Sequence, residues 1–500
     1  MKPPSVFSPI LNISLMKILL LVGALTLSGQ AFAQKMDAEK KLIISELDKK
    51  YDKYSDVAQT IWGYAELAFL ESKSSLLLQT QLKEAGFQID KGVADMPTAF
   101  VATYGSGKPV IGILAEFDAL PGVSQEAVPE KKSIAGQAAG HACGHHLFGT
   151  ASMAAAIEVK EWLKRSGKSG TIKLFGTPAE EAGSGKIYMV RAGLFNDVDA
   201  VLHWHPGDRN AVTAASSLAN VTAKFRFYGI ASHAAASPEK GRSALDGIES
   251  MNYMVNMMRE HVPSDSRIHY VITKGGEAPN VVPAFAESNY FVRHKDVTIV
   301  KSLWKRVQDA ATGAALGTGT RVEWELTGGV YSLLVNNTMN EVLQNNLNLV
   351  GGVTYNDAEK AFAQKLQTSF QNTEIPSLEN ATKVLQPAEV AELQKKQSGS
   401  GSTDVSDVSW VVPTSGISTA TWVPGTAAHS WQAVAAGGMT IGKKGMLVAA
   451  KTLALSAIDL MTKQDLLDKA KQELNTARGK DFRYESLVGD RKPPLDYYKE

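Results

Sequence analysis

Apolar positions along the chain follow two different periods, and the change between them marks its organisation. Lys40 to Gly63 and Ser72 to Gly86 carry apolar side chains at helical spacing, with Gly86 placed to stop the second stretch. Phe100 to Tyr104, Val110 to Phe117, Thr171 to Gly176 and Ala200 to Trp204 are short apolar or β-branched runs, and the helical stretch Gly149 to Lys164 lies among them. That alternation predicts an α/β layer whose strands end beside polar residues.

From about Ser217 the period becomes two. Val221, Ala223, Phe225 and Phe227 alternate with Thr222, Lys224, Arg226 and Tyr228, the pattern of a strand with one wet face. A helix from Ser243 to Glu260, strands near Arg267 to Thr273 and Phe285 to Arg293, a helix from Val297 to Ala315 and a strand carrying Val322, Trp324 and Leu326 complete the order β-α-β-β-α-β. This is a split βαβ, ferredoxin-like unit of about 110 residues, inserted between two parts of a larger domain. The chain returns through helices near Met339 to Val350 and Ala358 to Ser369, the Gly/Ser-rich Ser398 to Ser402, a closing helix Gly442 to Thr462 and a charged tail after Lys463. The expected organisation is a signal segment over 1–33, a catalytic domain in two parts over 34–215 and 329–480, the inserted unit over 216–328 and a C-terminal tail over 481–500.

Composition narrows the function classes. A chain of 500 residues with 44% apolar content is too long for one small domain and too apolar for disorder. Its formal charge of +1 leaves no electrostatic footprint for nucleic acid or an acidic membrane surface. From Met16, Lys17 supplies a positive charge, Ile18 to Leu27 an apolar run, and Ala31-Phe32-Ala33 a small-x-small cleavage pattern before Gln34. That run is shorter than the roughly 20 residues that span a bilayer, so an exported protein, periplasmic or secreted and without a membrane span after cleavage, is expected. Cys143 is the only cysteine, which excludes an internal disulfide and makes a free thiol in an exported protein odd unless something occupies it.

Four segments hold the metal-competent side chains. Gly140-His-Ala-Cys143-Gly-His145-His146 packs three histidines and the cysteine together, and thiolate with imidazole suits zinc or another late first-row divalent ion. Pro178-Ala-Glu180-Glu181 follows a strand end, where adjacent carboxylates point in different directions and divide metal binding from proton transfer. His203-Trp-His205-Pro206 ends another strand and offers one ligand of its two histidines. His429, in Thr426-Ala-Ala-His-Ser-Trp431, is a further candidate. The acidic run Asp404-Val-Ser-Asp407 is a candidate support for the late half of the site, with a solvated loop as the alternative.

With these motifs in their order, the chain resembles the M20 metallopeptidase and amidohydrolase family, in the aminobenzoyl-glutamate hydrolase (AbgB-like) branch. The resemblance rests on Gly112-Ile-Leu-Ala-Glu116-Phe-Asp118-Ala-Leu-Pro121, the His141 to His145 cluster, Pro178 to Glu181, His205-Pro206, Ser232-His233 with Gly241 to Leu245, and Asn280 to Pro283. It implies a two-domain α/β protein, a metallo-aminopeptidase-like catalytic domain with the inserted unit as dimerisation or lid domain. It further implies two divalent ions, zinc or manganese, held by Cys143, His145, Glu181, His205 and His429, with Glu180 as general base and Asp118 supporting the centre from behind. His233 is then directed to the substrate carbonyl, and Asn280 and Arg293 to other parts of the substrate. Two positions depart from the family pattern: His146 stands where an acid is expected, and Glu116 where aspartate is more usual.

The expected activity is hydrolysis of the amide of an N-aroyl or N-acyl amino acid or a dipeptide-like substrate, of the aminobenzoyl-glutamate type, by metal-activated water. A homodimer is expected from the resemblance. The alternatives are a two-domain binding protein that has lost catalysis, against which Glu180 argues, and a structural or storage zinc site, which would have no base beside closed ligands.

Overall fold

The computed structural model describes residues 37–371, 374–396 and 401–498. The export signal expected before Gln34 lies outside them. The first stretch of helical spacing forms two helices, Ala38–Lys49 and Tyr51–Tyr64, followed by Ser72–Glu84.

The apolar runs then build one mixed sheet. Its strands are β1 (Gln88–Lys91), β2 (Phe100–Ser106), β3 (Val110–Ala115), β6 (Gly170–Gly176), β7 (Ala200–Gly207), β8 (Ala211–Val212) and β13 (Thr414–Ala420), with a two-stranded ribbon of β4 (Leu120–Pro121) and β5 (Ala139–Gly140) beside it. The order is β1-β2-β6-β3-β7-β13-β8, parallel over β6-β3-β7-β13 and antiparallel at both margins. Both faces are covered, which is why the central strands read as continuous apolar runs. Along β3, Ile111, Ile113 and Ala115 enter one core while Val110 and Leu114 enter the other. β13 has no counterpart among the predicted strands, because its sequence Thr-Ser-Gly-Ile-Ser-Thr-Ala carries little apolar signal; parallel pairing with β7 from Thr414 opposite Val201 to Ala420 opposite Gly207 makes it a strand.

The helix His145–Ser166 is buried along most of its length and packs against Thr440–Thr462. By length and composition Thr440–Thr462 could cross a membrane, but its apolar window is 89% buried within the protein. The charged tail expected after Lys463 is corrected by the structure. Leu467, Ala470 and Leu474 recur at helical spacing and are buried, so Gln464–Arg478 is a helix. The segment beyond it is fastened to the body through buried Leu487 and Val488 and a hydrogen bond from the Tyr484 hydroxyl to Asp407.

The inserted unit has the predicted order. Strands β9 (Ala219–Tyr228), β10 (Arg267–Lys274), β11 (Phe285–His294) and β12 (Arg321–Val330) form an antiparallel sheet in the order β10-β11-β9-β12, and the helices Ala244–Met258 and Val297–Thr318 cover one face. Ala223, Phe225 and Phe227 pack under those helices. Residues of opposite parity, Asn220, Thr222, Lys224 and Arg226, face a cleft of about 740 Å³ whose other wall carries Glu180 and Glu181.

Candidate metal centre

β3, β6 and β7 run parallel, so their C-terminal ends deliver side chains to one place. Glu116 and Asp118 follow β3 and are buried there. The turn carrying Cys143 passes over Pro206 at Gly144, where φ is +77° and a Cβ would meet the proline ring at 2.7 Å. Only glycine fits. His145 then becomes the first residue of its helix. Beyond β6, Ala179 is left-handed at φ 59°, and its N–H donates to the buried Glu71 carboxylate at 2.9 Å. His429 is also left-handed, at φ 60°, and its N–H donates to the Ala142 carbonyl at 3.1 Å.

These turns bring Cys143, His145, Glu181, His205 and His429 together. Donor atoms of Cys143, His145 and His205 lie within 4.8 Å of one another, as do those of Cys143, Glu181 and His429, and those of Glu116, His145 and Glu180. Cys143 Sγ is 3.3 Å from His205 Nε2, and His429 Nε2 is 3.3 Å from Glu181 Oε2. His145 Nδ1 donates to Asp118 Oδ1 at 2.8 Å, and Asp118 Oδ2 accepts the Glu181 N–H at 3.0 Å. His205 Nδ1 donates to the Pro206 carbonyl at 2.7 Å. Both rings therefore turn an Nε2 lone pair toward the cluster.

The donor set fits divalent ions. His145 Nε2 and Glu181 Oε1 are buried without a hydrogen-bond partner, a costly arrangement that a cation relieves. Thiolate, imidazole and carboxylate together suit a late first-row metal. Burial pushes the Cys143 thiol well above its ordinary range. Burial also raises Glu180, reinforced by Glu116 and Glu181. Burial opposes ionisation of Glu181 too, but the hydrogen bond with His429 and the charges of His145 and His429 together draw its pKa below the ordinary value.

Several groups around the cluster carry no sequence signal. Lys186 is completely buried, with its ammonium 2.7 Å from Glu116 and 2.6 Å from Asp404. Burial opposes that charge, and the two carboxylates hold the pKa above the ordinary lysine range. The Glu116 contact is an ion pair outside hydrogen-bond geometry. The other Glu116 oxygen lies 3.1 Å from His145 Nε2. Asp404 and Asp407 are therefore not in a solvated loop; both are buried, in and beside the helix Val405–Ser409. Glu71, raised to about 8 by burial and then by Asp118, anchors the turn before Glu180. No motif marks Lys186 or Glu71, and only the fold gives them partners.

Other sequence candidates fall elsewhere. His203 shares the strand face of His205 but lies deeper, with its ring against Gly416. His146 packs on His141 and faces the Gly437 carbonyl, so the departure there lies behind the cluster. His233 is exposed on the inserted unit, where its Nδ1 accepts from Ala235 and Ala236 and its backbone bridges to Val281. Among the described residues it makes no contact with the cluster. Asn280 is beside it, its carbonyl accepting the Ala234 N–H at 3.0 Å. Arg293 lies on the wet face of β11, stacked over Phe291 at 4.8 Å.

Comparison with known proteins defines the class. The peptidase family M20/M25/M40 matches residues 112–432, a span that includes all five clustered donors and the inserted unit. The chain belongs to this family and is a metal-binding hydrolase of amide bonds. It is 39% identical over 452 residues to a p-aminobenzoyl-glutamate hydrolase subunit of Escherichia coli, across 87% of this chain and 94% of that protein. Among solved structures it resembles an aminobenzoyl-glutamate utilization protein from Klebsiella pneumoniae, with TM-score 0.59 and 19% identity over 84% of this chain and 98% of that one. It also resembles a dinuclear metal-binding M20 peptidase of Bacillus subtilis, with TM-score 0.56 and 18% identity over 83% and 99%. These two likenesses show the fold, a catalytic domain with an inserted second domain.

Proposed function

We propose that this protein hydrolyses the amide of an N-aroyl or N-acyl amino acid, or of a dipeptide-like substrate, of the p-aminobenzoyl-glutamate type. The observation that carries the proposal is the convergence of Cys143, His145, Glu181, His205 and His429 beside the raised carboxyl of Glu180. Those five would hold two divalent ions, zinc or manganese. Such ions, when bound, polarise the amide carbonyl and acidify water at the site. Glu180 accepts a proton from the attacking water as its oxygen bonds to the amide carbon. It then gives that proton to the leaving nitrogen as the C–N bond breaks, so the glutamate ends as it began. Asp118 keeps the His145 ring oriented through the 2.8 Å bond at Nδ1.

His233 donates to the developing oxyanion from the inserted unit of a partner subunit, which is consistent with its exposure and its lack of contact with the cluster in its own chain. Asn280 and Arg293 contact the substrate. The homodimer reading is supported by the exposed Tyr253, Met257, Val271 and Ile272 on the inserted unit, beside the unpaired edge of β10. Export to the periplasm or medium, with a mature start near Gln34, is part of the same proposal and rests on the N-terminal sequence.

A substrate screen on metal-loaded protein tests the activity. It should span p-aminobenzoyl-glutamate, N-acetyl amino acids and dipeptides, with product amine as the readout. Absence of cleavage throughout, with two ions per chain bound, contradicts the proposal.

A further inference from the structure

The segment beyond Gln464–Arg478 passes between the two units and is held by both. Its Leu487 is buried with Ala219, Val221 and Val297 of the inserted unit, while the next residue, Val488, enters a core of the catalytic domain. A Cβ at Gly329 of β12 would meet the Leu487 Cβ at 2.8 Å, so the segment lies directly on that strand. The Tyr331 hydroxyl donates to the Glu485 carbonyl at 2.8 Å. On the catalytic side, Arg191 of the helix Gly185–Arg191 donates to the carbonyls of Gly489 and Arg491 at 2.7 and 2.8 Å. Arg491 in turn donates to the Thr327 carbonyl at 2.7 Å and lies 3.8 Å from Glu325, both on β12. Beyond it, Pro494, Asp496 and Tyr497 line the cleft that also carries Glu180 and Glu181.

The chain itself crosses between the units twice, and the crossings run side by side. Ser216 Oγ donates to the Leu333 carbonyl at 2.6 Å, and Ser217 Oγ accepts the Leu333 N–H at 2.9 Å. Adjacent crossings of this kind leave one rotation open, that of a hinge. Thr327 precedes Leu333 by roughly 15–20 Å of extended chain, so the tie from Arg191 through Arg491 to Thr327 acts away from that axis and opposes the rotation. Both of its donors are guanidinium groups, which make the stronger class of hydrogen bond. The segment lies beyond residues 112–432, the span matched to the family, so it is an addition to the shared site.

We propose that residues 482–498 form an intramolecular strap that fixes the inserted unit over the metal centre, with Arg491 as the positioning residue that sets the width of the substrate cleft. The cleft is then formed before substrate arrives, and binding bears little cost of ordering one unit against the other. This goes beyond the amidohydrolase reading, since the strap would act on any ligand of the cleft.

The test measures the distance between spin labels placed on Leu76→Cys, in the helix Ser72–Glu84, and Leu316→Cys, in the helix Val297–Thr318, both exposed positions. It uses the full metal-loaded chain, diluted with unlabelled protein so that only distances within one chain are seen, and mass analysis confirms two labels per chain. Without ligand, the otherwise native chain should give one narrow distance distribution. Arg491→Met and, separately, Arg191→Met should broaden it by about 5 Å or more, whereas Arg491→Lys, which keeps a donor of similar reach, should leave it narrow. For N-(4-aminobenzoyl)-L-glutamate, Arg491→Met should raise KM about 5- to 10-fold, with kcat held within about threefold and metal content retained. A native distribution as broad as that of Arg491→Met, or no broadening in either methionine variant, overturns the assignment. So does a fall in thermal midpoint with distances and KM unmoved, which is the signature of a segment that only stabilises. The distances are read without substrate, so if the compound is not cleaved they alone decide the strap, and the amidohydrolase reading stands or falls separately.

Discussion

Glu180 and Glu181 are neighbours in the chain with opposite electrostatic settings. Glu180 is raised by burial among carboxylates, whereas at Glu181 the His429 hydrogen bond and the charges of His145 and His429 together outweigh burial. Glu180→Gln should therefore keep its metal and lose about 10²–10⁴ in kcat, while Glu181→Gln should lose metal itself. Metal analysis beside kinetics separates the two, and metal loss confined to Glu180→Gln would exchange the roles. Cys143→Ala should likewise shed most bound metal. In native loaded protein the thiol should resist a disulfide reagent, and rapid labelling there excludes it as a ligand. Asp407 makes a different prediction, because burial pushes its carboxyl up to about 7 against the hydrogen bonds from Tyr484 and the Tyr331 N–H. Its folded pKa exceeds the unfolded value of about 3.9, so the native state binds more protons between them and stability falls as pH rises from about 4 to about 7. Denaturant midpoints of chelator-treated Asp407→Asn should decline less over that range than those of the native chain, and parallel declines would refute the assignment. Cys143, His145, Glu181 and His205 were legible because histidine, cysteine and paired glutamates stand in short motifs, whereas His429, a lone histidine far along the chain, was assigned only by the family resemblance. Lys186 was not, because a lysine after glycine and serine looks like surface until Glu116 and Asp404 close on it.

At the scale of elements, the turn into the helix His145–Ser166 depends on one conformation. Gly144→Ala forces a side chain into left-handed backbone and against Pro206. It should cost roughly 1–3 kcal/mol and reduce metal content, since Cys143 and His145 flank the turn. Thermal unfolding with metal analysis measures both, and an unperturbed variant would show that the turn has room to relax. The strands of the inserted unit were readable from strict alternation, because one face is apolar and the other wet. The helix Gln464–Arg478 was obscured by its many charges, although Leu467, Ala470 and Leu474 mark its buried stripe. β13 was hidden for the opposite reason: a strand paired along both edges gains so much from its neighbours that small polar residues suffice.

For the molecule as a whole, His233 and Glu180 stand on different units and, in the proposed dimer, act across subunits. Mixing His233→Ala with Glu180→Gln under demonstrated subunit exchange should raise activity above either parent, because one site of the mixed dimer regains both groups. No rise limits His233 to its own chain. The two-domain layout was legible from the change of period near Ser217, but the fixing of the C-terminal segment was not, since its anchors Tyr484 and Leu487 find their partners only in space. The order of strands has one more consequence, for the chain as it is made. β7 and β8 are separated by only a few residues, yet β13 lies between them and arrives some two hundred residues later. Until Thr414–Ala420 emerges, a newborn polypeptide presents the raw flank of β7 and leaves β8 with no ladder to join. A fragment ending before Thr414 should then be captured by chaperones or aggregate and take up no metal even though it contains Cys143, His145, Glu181 and His205, as a length series of truncated chains read by metal uptake would reveal.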